Sequence, residues 1–460
     1  MQTVSLKNTA YFCGIAFGFL IIFACVFYFE RLNSDAGYYF FYAVNSQNFH
    51  VEHGRLVLIL AEMLVVLGTW FHLPLKALAI LYSLTHVIFF GALTWVSLSK
   101  FKHKNAAILI TLLQFIGLRY SVFTPQFELY YGLSILVFSL AYIQFLQEKK
   151  MPWKLFNYGL VALLFILVFT SHPMAIYCAF VALLLFFYNK SYRHVWILAI
   201  VLLLIYIVWK KFAVSDYEKS KFNGFSDALS HNLKNIFSSP FILKCIRFLL
   251  TYYWDCFIIF ILGLTTFLMH RKYKKAILYL LAIKGALLII WLMFPPDTMG
   301  RYIEQVYFPF VFLTCLWLFE EAISLRLLGV LAILIIYKSF TITNAGRELK
   351  KRSEQMAYFV SKAQSKTGSK FFVTEKDMGA NLYAKGNWSY GFETLCYAAI
   401  NDQKTVSITK DEDLQYNANF KKLKPSDFLF RPFEIMPYQQ LNKHYFKLDT
   451  GLYKPLIEIK

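Results

Sequence analysis

Leu56-Val-Leu-Ile-Leu-Ala-Glu-Met-Leu-Val-Val-Leu-Gly-Thr-Trp-Phe71, followed at once by His72-Leu-Pro74, decides how this chain is threaded. The run is apolar, but it is short for a bilayer crossing of about 20 residues, carries Glu62 and ends at a proline. If it crossed, Lys100-Phe-Lys-His-Lys104 and every later basic joint would change sides, against the preference of Lys and Arg for the cytoplasmic face. We therefore read it as a helix lying in or against the outer membrane interface.

Composition supports a membrane setting. A 460-residue chain that is 58% hydrophobic, 19% aromatic and only 16% charged has more apolar surface than one water-soluble core can hide. Its net charge of +20 would suggest nucleic acid in a soluble protein. Here the cations recur in short joints between apolar blocks, at 100–104, 148–150 with Lys154, 189–194 and 270–275, so they mark one membrane face and no nucleic-acid partner is expected. The first block, Tyr11 to Tyr28, follows only Lys7 and lacks a small-residue cleavage site, which reads as a retained helix.

The expected path has a cytoplasmic N-terminus and about eleven spans, near 10–29, 74–98, 105–119, 129–147, 155–170, 174–188, 194–209, 247–269, 276–294, 304–319 and 325–342. An odd number puts the C-terminal part on the extracytoplasmic side. The chain thus divides into a transmembrane part, 1–343, with outer loops and interfacial helices, and a polar part, 344–460. In the latter a basic amphipathic helix near 345–366 precedes strand-like Phe371-Phe-Val-Thr374, helical Tyr390 to Asn401 and strand-like Thr405-Val-Ser-Ile-Thr409, the pattern of a small α/β domain. Five of the seven cysteines lie in or beside apolar blocks as small core residues, while Cys245 and Cys396 could meet outside the membrane.

Threaded this way, the polar residues set in apolar surroundings gather on the outer face. Asp35 follows the first span and opens the aromatic helix Tyr38-Tyr-Phe-Phe-Tyr42. Ser34 or Asp35 can cap that helix, and Asp35, partly desolvated, can serve as a general base; a cap and a base are compatible roles. In His50-Val-Glu-His-Gly-Arg55, Arg55 at a helix start suits an anion such as phosphate. His50, Glu52 and His53 could ligate a metal, but i, i+2, i+3 spacing is not distinctive, so metal dependence stays open. Arg119 and Glu128 flank the turn at Thr124-Pro125 and form a candidate pair of cation and second acid. His172 precedes Pro173 at another outer turn. In Pro295-Pro-Asp-Thr-Met-Gly-Arg-Tyr302, Asp297 and Arg301 open a late span that also holds Glu304, and charges in a span's first turn usually face a cavity.

An acid just after the first span, an interfacial helix, a basic joint after the next span, an acid in the second outer loop, a late Arg-Tyr segment and an outer C-terminal domain together resemble the layout of the C-type (GT-C) membrane glycosyltransferases. Protein O-mannosyltransferases and aminoarabinose transferases belong to that group. The resemblance implies an enzyme that moves a sugar from a polyprenyl-phosphate-type lipid donor to a glycan, lipid or protein acceptor, with inversion. By position it implies Asp35 and Glu128 as catalytic acids or bases and Arg301 as a lipid-phosphate contact. Tyr38, Glu52, His53, Arg55, Arg119, His172, Asp297 and Tyr302 complete the expected substrate-binding set. The first loop reads Asp35-Ala-Gly where many members carry two adjacent acids, so base identity and metal dependence do not transfer with the layout. The Lys210, Lys211, Lys219 and Lys221 loop could cover a lipid-linked donor or lie on the membrane surface. The rival readings are a transporter or flippase of a lipid-linked or anionic substrate, which calls for charges near the bilayer midplane, and a glycan polymerase or ligase.

Overall fold

A computed structural model describes residues 3–151, 154–215, 218–220, 224, 229–230, 232–296, 300–378, 388–412, 423–432 and 434–457. Helix α1 (Leu6–Val26) starts at Ser5, whose side chain accepts the Asn8 N–H and so satisfies one of the free donors of the first turn. A 3-10 turn at Glu30–Leu32 leads into α2 (Asp35–Ser46), α3 (Leu58–Trp70) and α4 (Leu75–Ser99). Then follow α5 (Lys104–Leu112), α6 (Glu128–Glu148), α7 (Leu155–Ser171), α8 (Pro173–Phe186), α9 (Arg193–Phe212), α10 (Ser239–Tyr252), α11 (Trp254–Met269), α12 (Tyr273–Met293), α13 (Arg301–Cys315) and α14 (Leu325–Gln364).

Among the described residues seven helical segments are long and apolar enough to cross a membrane, and eight if α10 and α11, bent by 96° at their junction, count as one. Helix α6 is central, with 83% of its apolar window buried, whereas the α9 segment is 11% buried and shows most of its apolar surface outward. The remaining expected spans have a different character. The 105–119 segment is helical only to Leu112 and then turns, still buried, toward Gly117. Gly117 has φ +69°, and a Cβ there would meet Val311 Cγ2 at 2.4 Å, so a side chain would both strain the backbone and collide. Helices α7 and α8 have only 17 and 14 residues, and 247–269 breaks at Tyr253.

The stretch that decided the threading keeps both its ends at one end of the molecule. Arg55, just before α3, pairs with Glu128, while beyond its far end Trp70 Nε1 donates to Gln47 O at 3.2 Å and the His72 ring lies 5.5 Å from His444. At the opposite end Thr3 bridges Ser324, Lys104 donates to Val4 O, Asn105 donates to Glu321 O, and Lys272 and Lys275 pair with Glu321 and Glu320. Residues 100–104 therefore lie at the opposite end of the bundle from Asp35, and between α3 and α4 it is α4 that spans the distance.

The composition change at residue 344 falls inside α14, a single 40-residue helix that runs from the apolar bundle into the polar region. Beyond it, β1 (Lys370–Val373) is the middle strand of a parallel sheet with β2 (Ser407–Lys410) and β5 (Lys454–Pro455). Strands β3 (Asp427–Arg431) and β4 (Glu434–Pro437) form an antiparallel pair, and α15 (Tyr390–Ile400) packs between these strands and α2. The core of this region is shared with the first loop: Phe41 of α2 lies 4.7 Å from Phe430 and 5.0 Å from Phe446, ring to ring. Burying such rings stabilises by about 25 cal/mol per Å² of apolar surface, which makes α2 part of the C-terminal fold as much as of the bundle.

Candidate functional site

Asp35 opens α2 from a backbone that is itself unusual. Ser34 has φ +60° and ψ −131°, a conformation that only glycine adopts without cost. The peptide unit between Asn33 and Ser34 is gripped at both ends. Arg301 Nη1 donates to Asn33 O at 2.9 Å, and the Ser34 N–H donates to Glu393 Oε1 at 2.5 Å. One turn on, Gly37 is required, since a Cβ would meet Leu32 O at 2.0 Å.

The Asp35 side chain remains accessible although protein surrounds it on most sides, the condition of a group at the floor of an open cleft. Burial pushes its carboxyl up from the usual aspartate range; Arg301 opposes that shift, Glu128 and Glu52 reinforce it, and Arg55 opposes it. Those four neighbours come from three separate parts of the sequence, so this constellation exists only in the folded chain.

The flanking groups are held by one another. Glu52 accepts from Tyr38 OH at 2.7 Å, Tyr39 OH at 3.1 Å and His50 Nε2 at 3.2 Å. Burial alone would raise the Glu52 carboxyl, but these donors hold it at about 2, so it stays a carboxylate. His50 also stacks on Tyr42 at 4.3 Å. His53 Nδ1 lies 2.9 Å from Ser215 Oγ, and the His53 carbonyl accepts from Lys210 Nζ at 2.8 Å, which ties the end of α9 to the first loop. His172 caps α8 with its Nδ1 accepting the Met174 N–H at 3.1 Å, and Pro173 sits at the first helical position. Burial, with Arg55 nearby, holds the imidazole at about 3, so it is neutral and carries its proton on Nε2.

Several expected pairings are corrected by this geometry. Arg119 and Glu128 do not pair with each other: Glu128 takes Arg55, and Arg119 Nη2 donates to Glu348 at 2.8 Å with its guanidinium over Tyr120. The reason is the turn after α5, which points Arg119 toward α14 and not toward α2. Arg55 thus already has a carboxylate partner at the helix start where an anion was expected. Glu304 does not face a cavity. It is buried and accepts the N–H groups of Arg119, Tyr120 and Ser121 at 2.8–3.0 Å, capping the second loop. Tyr302 is 52% exposed and packs its ring against Phe294, outside the cluster. Asp297 lies outside the described residues. Cys245 and Cys396 are both buried and free, in different layers of the fold, and do not meet. Among the described residues no three His, Cys, Asp or Glu side chains converge as a metal-holding group, His50, Glu52 and His53 included.

Sequence reading took Ser34 only as a candidate cap, the position it does hold, and missed Arg352 and Glu393. Arg352 Nε donates to Glu393 Oε2 at 3.1 Å, both side chains being 2% exposed, and Ser389 Oγ donates to Glu393 Oε1 at 2.6 Å. The signal that could have found Glu393 is an acid inside the apolar run Tyr390-Gly-Phe-Glu-Thr-Leu-Cys396. It also missed Asp255 and Lys338, an ion pair at 3.4 Å between α11 and α14, where Asp255 also accepts the Gly117 N–H at 2.7 Å. Comparison of the chain with protein-family models, with curated proteins and with solved structures gave no match.

Proposed function

We propose that the protein is a membrane glycosyltransferase of the C type, with about eleven membrane-crossing segments, a cytoplasmic N-terminus and an extracytoplasmic C-terminal domain. In this reading it moves a sugar from a polyprenyl-phosphate-type donor to an acceptor hydroxyl at the outer face. The observation that carries it is Asp35: an accessible carboxylate at a cleft floor, where apolar helices meet the polar domain, with Arg301 and Arg55 as its nearest cations. A donor of this class keeps its tail in lipid and its phosphate at the interface, the level that this reading gives those cations.

The chemistry follows from the charges. Asp35 takes the proton of the acceptor hydroxyl as that oxygen bonds to the anomeric carbon. The bond from the anomeric carbon to the phosphate oxygen breaks, its electron pair leaves with the phosphate, and attack from the opposite face inverts the centre. Arg301 and Arg55 offset the charge that develops on the leaving phosphate. Glu128 orients Arg55, and Glu52 sets the tyrosine wall of the cleft. The test is purified protein in lipid nanodiscs with a panel of polyprenyl-phosphate sugars. Release of polyprenyl phosphate that requires both Asp35 and an added acceptor supports the reading; no release with any donor removes it.

One observation favours the transporter alternative. Asp255 and Lys338 form a buried ion pair beside the 96° break between α10 and α11, and broken helices with intramembrane charges are the features of substrate pathways. Movement of a lipid-linked sugar across vesicles without bond cleavage would select it.

A further inference from the structure

The Asn33–Ser34 peptide unit leads directly into Asp35, and the C-terminal domain holds one end of it. Ser34 at φ +60°, ψ −131° holds a strained backbone that a free loop would relax by rotating. Rotation about that peptide would swing the Asp35 carboxylate away from Arg301 and Glu128. The contact opposing it is the Ser34 N–H on Glu393 Oε1. Glu393 is fixed in turn: Arg352 from α14 binds Oε2 through Nε and Nη2, Ser389 Oγ donates to Oε1, and the whole group is sealed from solvent. At the other end of the same peptide, Arg301 holds the carbonyl oxygen. Neither Arg352 nor Glu393 lies in the cleft, and a pair needed only to dock two domains would not have to bind a strained amide next to the reactive acid.

We infer that Glu393, charged and oriented by Arg352, is a positioning residue for Asp35, so that the C-terminal domain sets the aim of the catalytic carboxylate from behind. This rests on the transfer reading. It makes the domain part of the active-site machinery whatever else it binds, and it predicts a coupling between Glu393 and Ser34 that simple domain stability does not.

The experiment is a rescue series in full-length protein reconstituted in nanodiscs, with a polyprenyl-phosphate sugar as donor. Glu393→Gln should lower kcat about 10- to 100-fold with little change in donor KM, the cost expected of a misplaced reacting group. Adding Ser34→Gly, which lets the same backbone form without strain, should recover at least severalfold of that loss, and Ser34→Gly alone should stay near native. Because Glu393→Gln leaves Arg352 buried without a counter-charge, the series is repeated as Glu393→Gln with Arg352→Met, which removes both charges. Amide exchange of the segment around Ser34 provides a readout that needs no donor, and it should quicken in every Glu393 variant. Native turnover in a folded Glu393 variant, or a loss that Ser34→Gly does not relieve, overturns the inference. If the native protein transfers no sugar while exchange at Ser34 still depends on Glu393, the brace stands and the transfer reading alone fails.

Discussion

Two clusters of opposite charge face different fates in this molecule. Around Asp35 stand two acids and two arginines, and the central carboxylate stays accessible and has its pKa raised. Between α11 and α14, Asp255 and Lys338 are sealed, at 1% and 7% side-chain exposure, with the Gly117 N–H as a further ligand of the acid. The second cluster welds two irregular points, the end of the broken α5 segment and the start of α11, to the long helix α14. The first leaves a reactive group unsaturated. Charge embedded in an apolar chain is therefore not in itself a sign of chemistry; what separates the two clusters is whether a charged group is left open to a partner from outside.

The largest expected effect tests the sealed cluster. Lys338→Met leaves Asp255 uncompensated and should destabilise by about 3–5 kcal/mol, seen as a fall in the unfolding temperature in detergent. Pairing it with Asp255→Asn should restore most of that stability, with transfer unchanged once the protein folds. Loss of transfer in the well-folded double variant would move the functional centre into the membrane and erase the contrast.

Next in size is Asp35→Asn. Ser34 holds the N-cap position of α2 and Asp35 its first turn, where the isosteric asparagine fits the same space, so insertion and unfolding temperature should hold. Turnover should fall about 100-fold or more, because an amide cannot accept the acceptor's proton at neutral pH. A folded variant with near-native turnover would make the first cluster as structural as the second.

A smaller effect is expected of Arg55→Lys. The fork that meets Glu128 is lost while the charge remains, so donor KM should rise by about tenfold and kcat should change less. An unchanged KM would leave Arg301 as the sole phosphate contact.

The mildest test uses pH. Asp35 must be ionised to act, and burial raises its pKa above the ordinary aspartate value of about 3.9, so transfer should rise with pH through a limb above that value. Glu52, held at about 2, should add no limb in the same range. A profile that keeps its acid limb in Asp35→Asn, measured on the residual turnover, would assign the titration to another group.

The placement of α3 shows how far linear reasoning reaches. Its short length, Glu62 and the terminal Pro74 argue against a crossing, and basic joints on both sides of the decision fix which residues share an end. Those are properties of composition along a line, and the bilayer reads them one segment at a time. The strands near 371–374 and 405–409 and the helix near 390–401 are legible for the same reason, since local periodicity sets them. Asp35, Glu52, Arg55, His172 and Arg301 could be gathered on one face because each follows or precedes an apolar block.

Pairing within that face was beyond the sequence. Whether Glu128 meets Arg119 or Arg55 depends on the direction of one turn after α5, which a glycine at φ +69° and a packed Val311 determine. Glu304 reads as a charge at a cavity because nothing local announces that three backbone N–H groups of another loop will saturate it. The grip of Glu393 on Ser34 joins residues 359 positions apart. Composition and period thus determined which segments are apolar and where the strands and the helix of the polar region fall. Tertiary structure alone decided that Glu304 is saturated while Asp35 is left accessible, because hydrogen-bond saturation is a property of neighbours in space and each neighbour here comes from a distant part of the chain.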